Sequence, residues 1–214
     1  MARKAFGLDD AIREFVRHPS PWMIAATLLA ALAARITVGS WGVGDLIVPL
    51  AMVAVFPFFE WVVHVCVLHW RPKQFGSVHI DPLLARKHRE HHVAPRRPDL
   101  VFIPWQTLLW VLPVAVAVAV IIGRAEGLTF LTFLACLGLG YEWTHYLIHT
   151  DYKPKSVVYR AVWRNHRQHH FKNERYWFTV TSSGTADRVL GTYPDPATVP
   201  NSPTAKNLYS LNEN

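Results

Sequence analysis

Residues 128–149 read LTFLTFLACLGLGYEWTHYLIH. The stretch stays apolar for most of the roughly twenty residues a helix needs to cross a hydrocarbon core. It then ends in His145-x3-His149. Two imidazoles four residues apart stack on one helical face, about 40° apart. The segment therefore reads as a spanning helix that delivers a pair of side chains at the membrane surface. Three more apolar runs lie upstream, Trp22 to Val38, Leu46 to Leu68 and Pro104 to Gly123. Residues 39–44 join the first two runs and residues 124–127 the last two, and links this short force antiparallel helical hairpins. The predicted fold class is all-α, with four transmembrane helices in two hairpins. Buried helices of a soluble core are the competing reading, but four such runs in 214 residues exceed what one core would bury.

Composition agrees with a membrane chain. Hydrophobic residues make up 51% of the sequence and charged ones only 17%, against about a quarter charged in soluble domains. A net charge of +7 in so apolar a chain points to anionic lipid headgroups rather than nucleic acid. The charges are unevenly placed. Arg3, Lys4, Arg13 and Arg17 precede the first run; Arg71, Lys73, Arg86, Lys87, Arg89, Arg96 and Arg97 follow the second. Further Lys and Arg run from Lys153 to Lys206, whereas the short links hold only Arg124. By the positive-inside rule both termini and the central loop are expected on the cytoplasmic side. Arg35, near the end of the first run, is expected to snorkel to the interface.

Residues 1–20 are expected as an N-terminal interfacial segment, because Leu8, Ile12, Phe15 and Val16 share one helical face. An ordinary first helix packed on the body is the alternative. Residues 21–193 form the membrane domain, and residues 194–214, rich in Pro, Asn, Ser and Thr, read as a mobile polar tail. No cleavable leader is expected. Cys66 and Cys136 lie in apolar runs and are expected as small buried residues rather than a disulfide.

Ten of the twelve histidines fall into four groups. They are His64-x4-His69, His88-x2-His91-His92, His145-x3-His149 and His166-x2-His169-His170. The two halves of the chain share a layout: hairpin, His pair, His triplet. Each triplet covers about 100° of one helical face. A spacing of five puts His64 and His69 about 140° apart on a regular helix, so either the helix deforms there or the two reach different metals. Ten imidazoles are too many for one ion; five per ion, for two ions, fits an octahedral metal with one position open. Imidazole suits iron, zinc, copper and nickel, so the ligand set leaves the metal open. His79 lies near the second group without fitting it, and is a candidate ligand or partner behind the ligands. Carboxylates inside membrane helices are functional by default. Glu60 and Glu142 precede His64 and His145 by about one turn, and each is expected to accept a hydrogen bond from a liganding imidazole.

The series HxxxxH, HxxHH, HxxxH, HxxHH, in this order, resembles the fatty acid hydroxylase and sterol desaturase superfamily of integral-membrane enzymes. The stretch from His166 to Asn173, then Val180-Thr-Ser182, Asp187 and Gly191-Thr192 is similar to the C-terminal signature of the fatty acid 2-hydroxylase branch, as is His88 to Pro104. The resemblance implies a cytosolic helical cap carrying a histidine-ligated dimetal site, with the ten motif histidines as ligands. It implies two iron ions, which zinc can replace in a purified sample, and O2 as co-substrate. The expected reaction is hydroxylation of a lipid C–H bond, most often on a fatty acyl chain, with two electrons from a separate donor (a ferredoxin, or a cytochrome b5-like protein with its reductase). Substrate is expected to enter from the bilayer, past some of Trp105, Trp110, Phe171, Tyr176, Trp177 and Phe178. Carotenoid ring hydroxylation and sterol or lipid desaturation use the same ligand set. A membrane metal-binding or transport protein is the non-enzymatic alternative, and it would want polar ligands along a path through the bilayer.

Overall fold

The computed structural model describes residues 6–210. Arg3 and Lys4, and the outer ends of the expected N-terminal and tail segments (1–5 and 211–214), lie outside the described residues. The chain is mostly helical. After a short helix α1 (Leu8–Phe15) come α2 (Pro19–Val38) and α3 (Gly44–Val63), the latter continuing through a π-helical turn, His64–Leu68. A small hairpin, β1 (Lys73–Phe75) and β2 (Val78–Ile80), leads to α4 (Leu83–Val93) and α5 (Pro98–Val101). The long helices α6 (Trp105–Ile122) and α7 (Arg124–Ile148) follow, then α8 (Val157–Phe171) and the short α9 (Thr185–Val189).

The four long helices are the four apolar runs. Segments Pro19–Val38, Gly44–Leu68 and Pro98–Ile122 are long and apolar enough to cross a membrane. Helix α7 has the length, at 25 residues, but carries Arg124, Glu126, Thr129, Thr132, Glu142 and His145. Its position accounts for part of this polarity: α7 packs against α2, α3 and α6, and Thr129, Glu142 and His145 are buried, whereas Arg124 and Glu126 stand exposed at its N-terminal end. The outward faces of the other three carry exposed Leu29, Ile36, Leu46, Leu50, Val53, Trp110, Val114 and Ile121. An apolar belt of that extent marks a surface made for lipid.

Both hairpin links are tighter than the sequence suggested. Between α6 and α7 stands only Gly123, at φ 122, a conformation open to glycine alone. Residues 124–127 are therefore the first turn of α7 rather than a loop. A side chain at Gly127 would come within 2.0 Å of the Ala119 carbonyl oxygen, so glycine permits the close approach of the two helices. At the same end, Arg35 does not reach outward. It is 1% exposed, its guanidinium forks onto Asp45 (2.9 and 2.6 Å) and stacks 3.8 Å over Trp41. Thr129 of α7 hydrogen-bonds Asp45 as well. This network fastens α2, α3 and α7 together opposite the histidines, and desolvating a guanidinium there requires such complete pairing.

Helix α1 has one docked face and one exposed face. Ala11 is fully buried and Phe15 packs on Phe102, Trp143 and Tyr146, so the helix docks on the body. Leu8, Ile12 and Val16 remain exposed in one row. Two expectations fail. Residues 194–210 are not a free tail: Val199, Ala205 and Leu208 are buried, and the segment wraps the end of the bundle that holds the histidines. Cys66 and Cys136 are free and exposed, on helix surfaces rather than in a core.

Candidate metal centre

Antiparallel packing brings the C-terminal ends of α3 and α7 to one end of the bundle, and α4 and α8 lie across it. The ten motif histidines meet there in two groups of five. The first is His64, His69, His88, His92 and His169; the second is His91, His145, His149, His166 and His170. Within each group, one nitrogen per ring lies within 4.8 Å of all the others.

The π turn explains His64 and His69. The His69 amide donates to the His64 carbonyl at 2.9 Å, an i to i+5 bond that widens the turn and swings both rings to the same group. A five-residue spacing on a π turn thus does what the four-residue spacing of His145 and His149 does on α7. The triplets divide in a complementary way. On α4 the i, i+4 pair His88 and His92 joins the first group and His91 the second; on α8 the pair His166 and His170 joins the second and His169 the first. Each group therefore takes a pair from a long helix, a pair from one triplet and a single ring from the other. This is the shared layout of the two halves, realised in space.

The inward-facing atoms are Nε2. Their contacts are 3.2 Å for His69–His169 and His88–His92 in the first group. In the second they are 3.1 Å for His91–His149, His149–His166 and His166–His170. Metal–nitrogen bonds of about 2.0–2.1 Å place neighbouring nitrogens about 3.0 Å apart in an octahedron and about 3.4 Å in a tetrahedron, so these spacings fit ligands around an ion. Mutual hydrogen bonding does not account for all of them: each Nε2 carries either one hydrogen or one lone pair, so at most two of the three contacts in the second group can be hydrogen bonds. Nε2 of His64 is buried with no protein partner, as a metal-directed lone pair would be. Burial, and after it the neighbouring imidazoles, hold His69, His88, His91, His149, His166 and His170 well below the ordinary histidine range. His92 and His169 are lowered in the same way, burial again first. Neutral imidazole is the form that binds metal.

What fixes the rings is backbone, not carboxylate. Nδ1 of His64 donates to the Phe178 carbonyl (2.6 Å), His92 to Ala205 (2.8 Å), His145 to Val101 (3.0 Å) and His169 to Tyr176 (2.9 Å). Each bond holds the tautomer whose Nε2 lone pair faces inward. Glu60 and Glu142 do not touch an imidazole, contrary to expectation. Glu142 accepts from the Ile103 amide (2.8 Å) and the Ser20 hydroxyl (3.2 Å); Glu60 accepts from the Thr181 amide with both oxygens, at 3.1 and 3.3 Å. Both carboxylates act one step further out. They pin the loops whose carbonyls, at Val101 and Phe178, hold His145 and His64. Glu142→Ala should leave two donors unmatched, at about 1–3 kcal/mol each, and loosen the Val101 loop, whereas Glu142→Gln keeps an acceptor and should cost less. Melting temperatures and metal content of the two variants decide this, and equal effects would argue against the positioning role.

His79 sits on the exposed β hairpin, its Nδ1 3.2 Å from the Gln74 side-chain oxygen, and belongs to neither group. Of the aromatic residues proposed along a substrate path, Phe178 packs against the first group, its ring 5.5, 5.6 and 5.3 Å from those of His64, His69 and His169. Trp177 is fully buried, while Trp105, Trp110 and Phe171 are exposed; Tyr176 contributes its carbonyl to His169. Sequence reading assigned no role to Asp81 or Tyr209. Asp81 takes both carboxylate oxygens to Arg89 of α4 at 2.7 Å, and the Tyr209 hydroxyl donates to the His69 carbonyl at 2.5 Å.

A family model described as fatty acid hydroxylase matches residues 49–192. Two relatives from Arabidopsis thaliana are similar to the chain. Dihydroceramide fatty acyl 2-hydroxylase FAH1 is 31% identical over 159 residues, which cover 69% of this chain and 62% of the relative. Dihydroceramide fatty acyl 2-hydroxylase FAH2 is 26% identical over 142 residues, covering 66% of this chain and 58% of the relative. The chain thus spans less than two thirds of the length of either. A solved structure of full-length Scs7p, in which only the hydroxylase domain is visible, superposes with a TM-score of 0.63 at 20% identity, covering 84% of this chain and 65% of that one. That likeness concerns the fold.

Proposed function

Because the chain belongs to the fatty acid hydroxylase family, we propose that it is a membrane-embedded oxygenase that hydroxylates a fatty acyl chain at a site made by the two groups of five histidines. The observation that carries this reading is the convergence of ten imidazoles, nine of them buried and His69 partly so, sorted five and five, at the end of an apolar helix bundle. Four helices, α2, α3, α6 and α7, span the bilayer in this reading, with α4, α8 and the C-terminal segment capping them on the cytoplasmic side, where the Lys and Arg residues gather. Both termini lie on that side.

Two iron ions bound to these groups would supply the activation of O2, chemistry that no side chain of the chain offers. The reaction balances as R–H + O2 + two electrons + two protons giving R–OH + H2O, so it needs an electron donor, which we take to be a separate redox protein. The chain's own part is positional. Carbonyl-anchored imidazoles hold the ligand sphere in one geometry. Phe178 and the buried Trp177 loop keep water away from the first group, and the exposed apolar faces of α3 and α6 leave the acyl chain in lipid until it reaches the histidine end. The names of the Arabidopsis relatives favour carbon 2 of an acyl chain over a carotenoid ring or a sterol. The histidines gather at one end of the bundle rather than along a path through it, which disfavours transport.

The test supplies the full chain, in lipid vesicles, with iron, 18O2, a ferredoxin and its reductase, and examines the lipids by mass spectrometry. One 18O per product, in a hydroxyl on the acyl chain, is expected. A new double bond without added oxygen would replace hydroxylation by desaturation. No oxidised lipid, with metal crossing the vesicle wall, would contradict the enzyme reading.

A further inference from the structure

The two histidine groups are matched in ligand number but not in what stands behind the ligands, and we propose that the ion of the second group is the exchangeable one while the ion of the first is locked in. This rests on the two-ion reading above. In the first group, His64, His92 and His169 each give Nδ1–H to a backbone carbonyl, at 2.6, 2.8 and 2.9 Å. In the second group only His145 does so. Nδ1 of His91, His166 and His170 is buried and meets no protein partner. A ring anchored through its outer nitrogen keeps its tautomer and orientation when the metal leaves, so the ion is readily recaptured; a ring without that anchor can turn or change tautomer.

Access differs in the same sense. The first group is covered by the C-terminal segment, through the Ala205 carbonyl on His92 and the Tyr209 hydroxyl on the His69 carbonyl. In the second group, His149 borders a cavity of about 350 Å³ that also touches Glu14, Arg96, Tyr146 and Asp151. The side chains of Arg96 and Asp151 at its rim are 66% and 70% exposed. Water and small chelators can therefore approach His149 from outside; in the first group only His69 is partly exposed, and the C-terminal segment lies over it through the Tyr209 hydroxyl.

The experiment uses the full chain in detergent, loaded with zinc alone and then challenged with excess EDTA, with retained zinc counted over time. Two phases of one equivalent each are expected, separated by about tenfold or more in rate, the scale on which partners behind metal ligands act. His149→Ala should bind one equivalent and show only the slow phase; His69→Ala should bind one and show only the fast phase. His166→Ala and His64→Ala give the same assignment if either variant fails to fold. Loss of both ions at a single rate would overturn the inference and leave the two-ion reading standing. A slow phase that disappears in His149→Ala and survives in His69→Ala would overturn it by reversing the assignment. Uptake of no more than one equivalent by the unsubstituted chain would overturn the inference and the two-ion reading together.

Discussion

Ending the chain after Pro200 is expected to cost the first histidine group its metal while leaving the helices in the membrane. The removed residues look dispensable by composition, but they close the site. The Ala205 carbonyl is the partner of His92 Nδ1 at 2.8 Å. The Tyr209 hydroxyl holds the carbonyl of His69 at 2.5 Å. The Ser202 amide ties the segment to the Lys172 carbonyl at 2.7 Å, just past α8, and the Thr204 hydroxyl binds Glu174 at 2.6 Å. Leu208, 1% exposed, seals the packing. Losing a hydrogen-bond partner behind a ligand typically lowers metal affinity about 10–100-fold, and here two of the five rings lose support together. Tyr209→Phe removes a single bond and should sit far below the truncation. Metal retained after dialysis against a weak chelator measures both; a truncated chain that keeps all its metal with unaltered affinity would refute the role given to this segment.

Asp187→Ala should be comparably severe, for a different reason. Asp187 is fully buried and its two oxygens accept from the Phe178 amide (2.9 Å), the Thr179 amide (2.9 Å), the Thr179 hydroxyl (2.5 Å) and the Thr192 hydroxyl (2.7 Å). A carboxylate is the only side chain that offers acceptors on both oxygens. Its removal strands buried donors at about 1–3 kcal/mol each, a large part of the 5–15 kcal/mol that typically separates folded from unfolded chains. The loop concerned presents the Phe178 carbonyl to His64, so metal affinity should fall with stability. Asp187→Asn keeps one acceptor oxygen and points an NH2 at donors, so it should rescue little. Thermal melting followed by intrinsic fluorescence, alongside metal content, gives both effects. A melting temperature within a degree or two of the parent's would mean that the loop is held by other contacts.

The parts of this architecture that were legible in the sequence are those carried by side-chain type. The apolar runs located the four long helices to within a few residues; the largest shift, at the start of α7, came from Gly123 reversing the chain in one residue. The histidine count suggested two sets of five, and the ten rings sort that way. The parts that were not legible are carried by backbone. The acceptors behind His64, His92, His145 and His169 are carbonyls, which every residue possesses and no letter announces. Glu60 and Glu142 were visible as buried charges, but the amides of Thr181 and Ile103, which claim them, could not be read. The π turn left one trace, the odd five-residue spacing of His64 and His69, which allowed a deformed helix without specifying it. Residues 194–210 were misread because polar, proline-rich composition measures the lack of a core, whereas this segment is ordered by hydrogen bonds to the site. The division of each triplet between two groups depends on how α4 and α8 lie against one another, which no local pattern encodes.

Each group of five histidines is proposed to hold one ion. The most direct test is the metal content of the full chain, purified in detergent, supplied with iron or zinc and freed of loosely held metal, measured with the protein concentration from amino-acid analysis. Two equivalents per chain are expected, falling to one when either His69 or His149 is replaced by alanine. One equivalent or none in the unsubstituted chain, or two equivalents surviving in both variants, would contradict it.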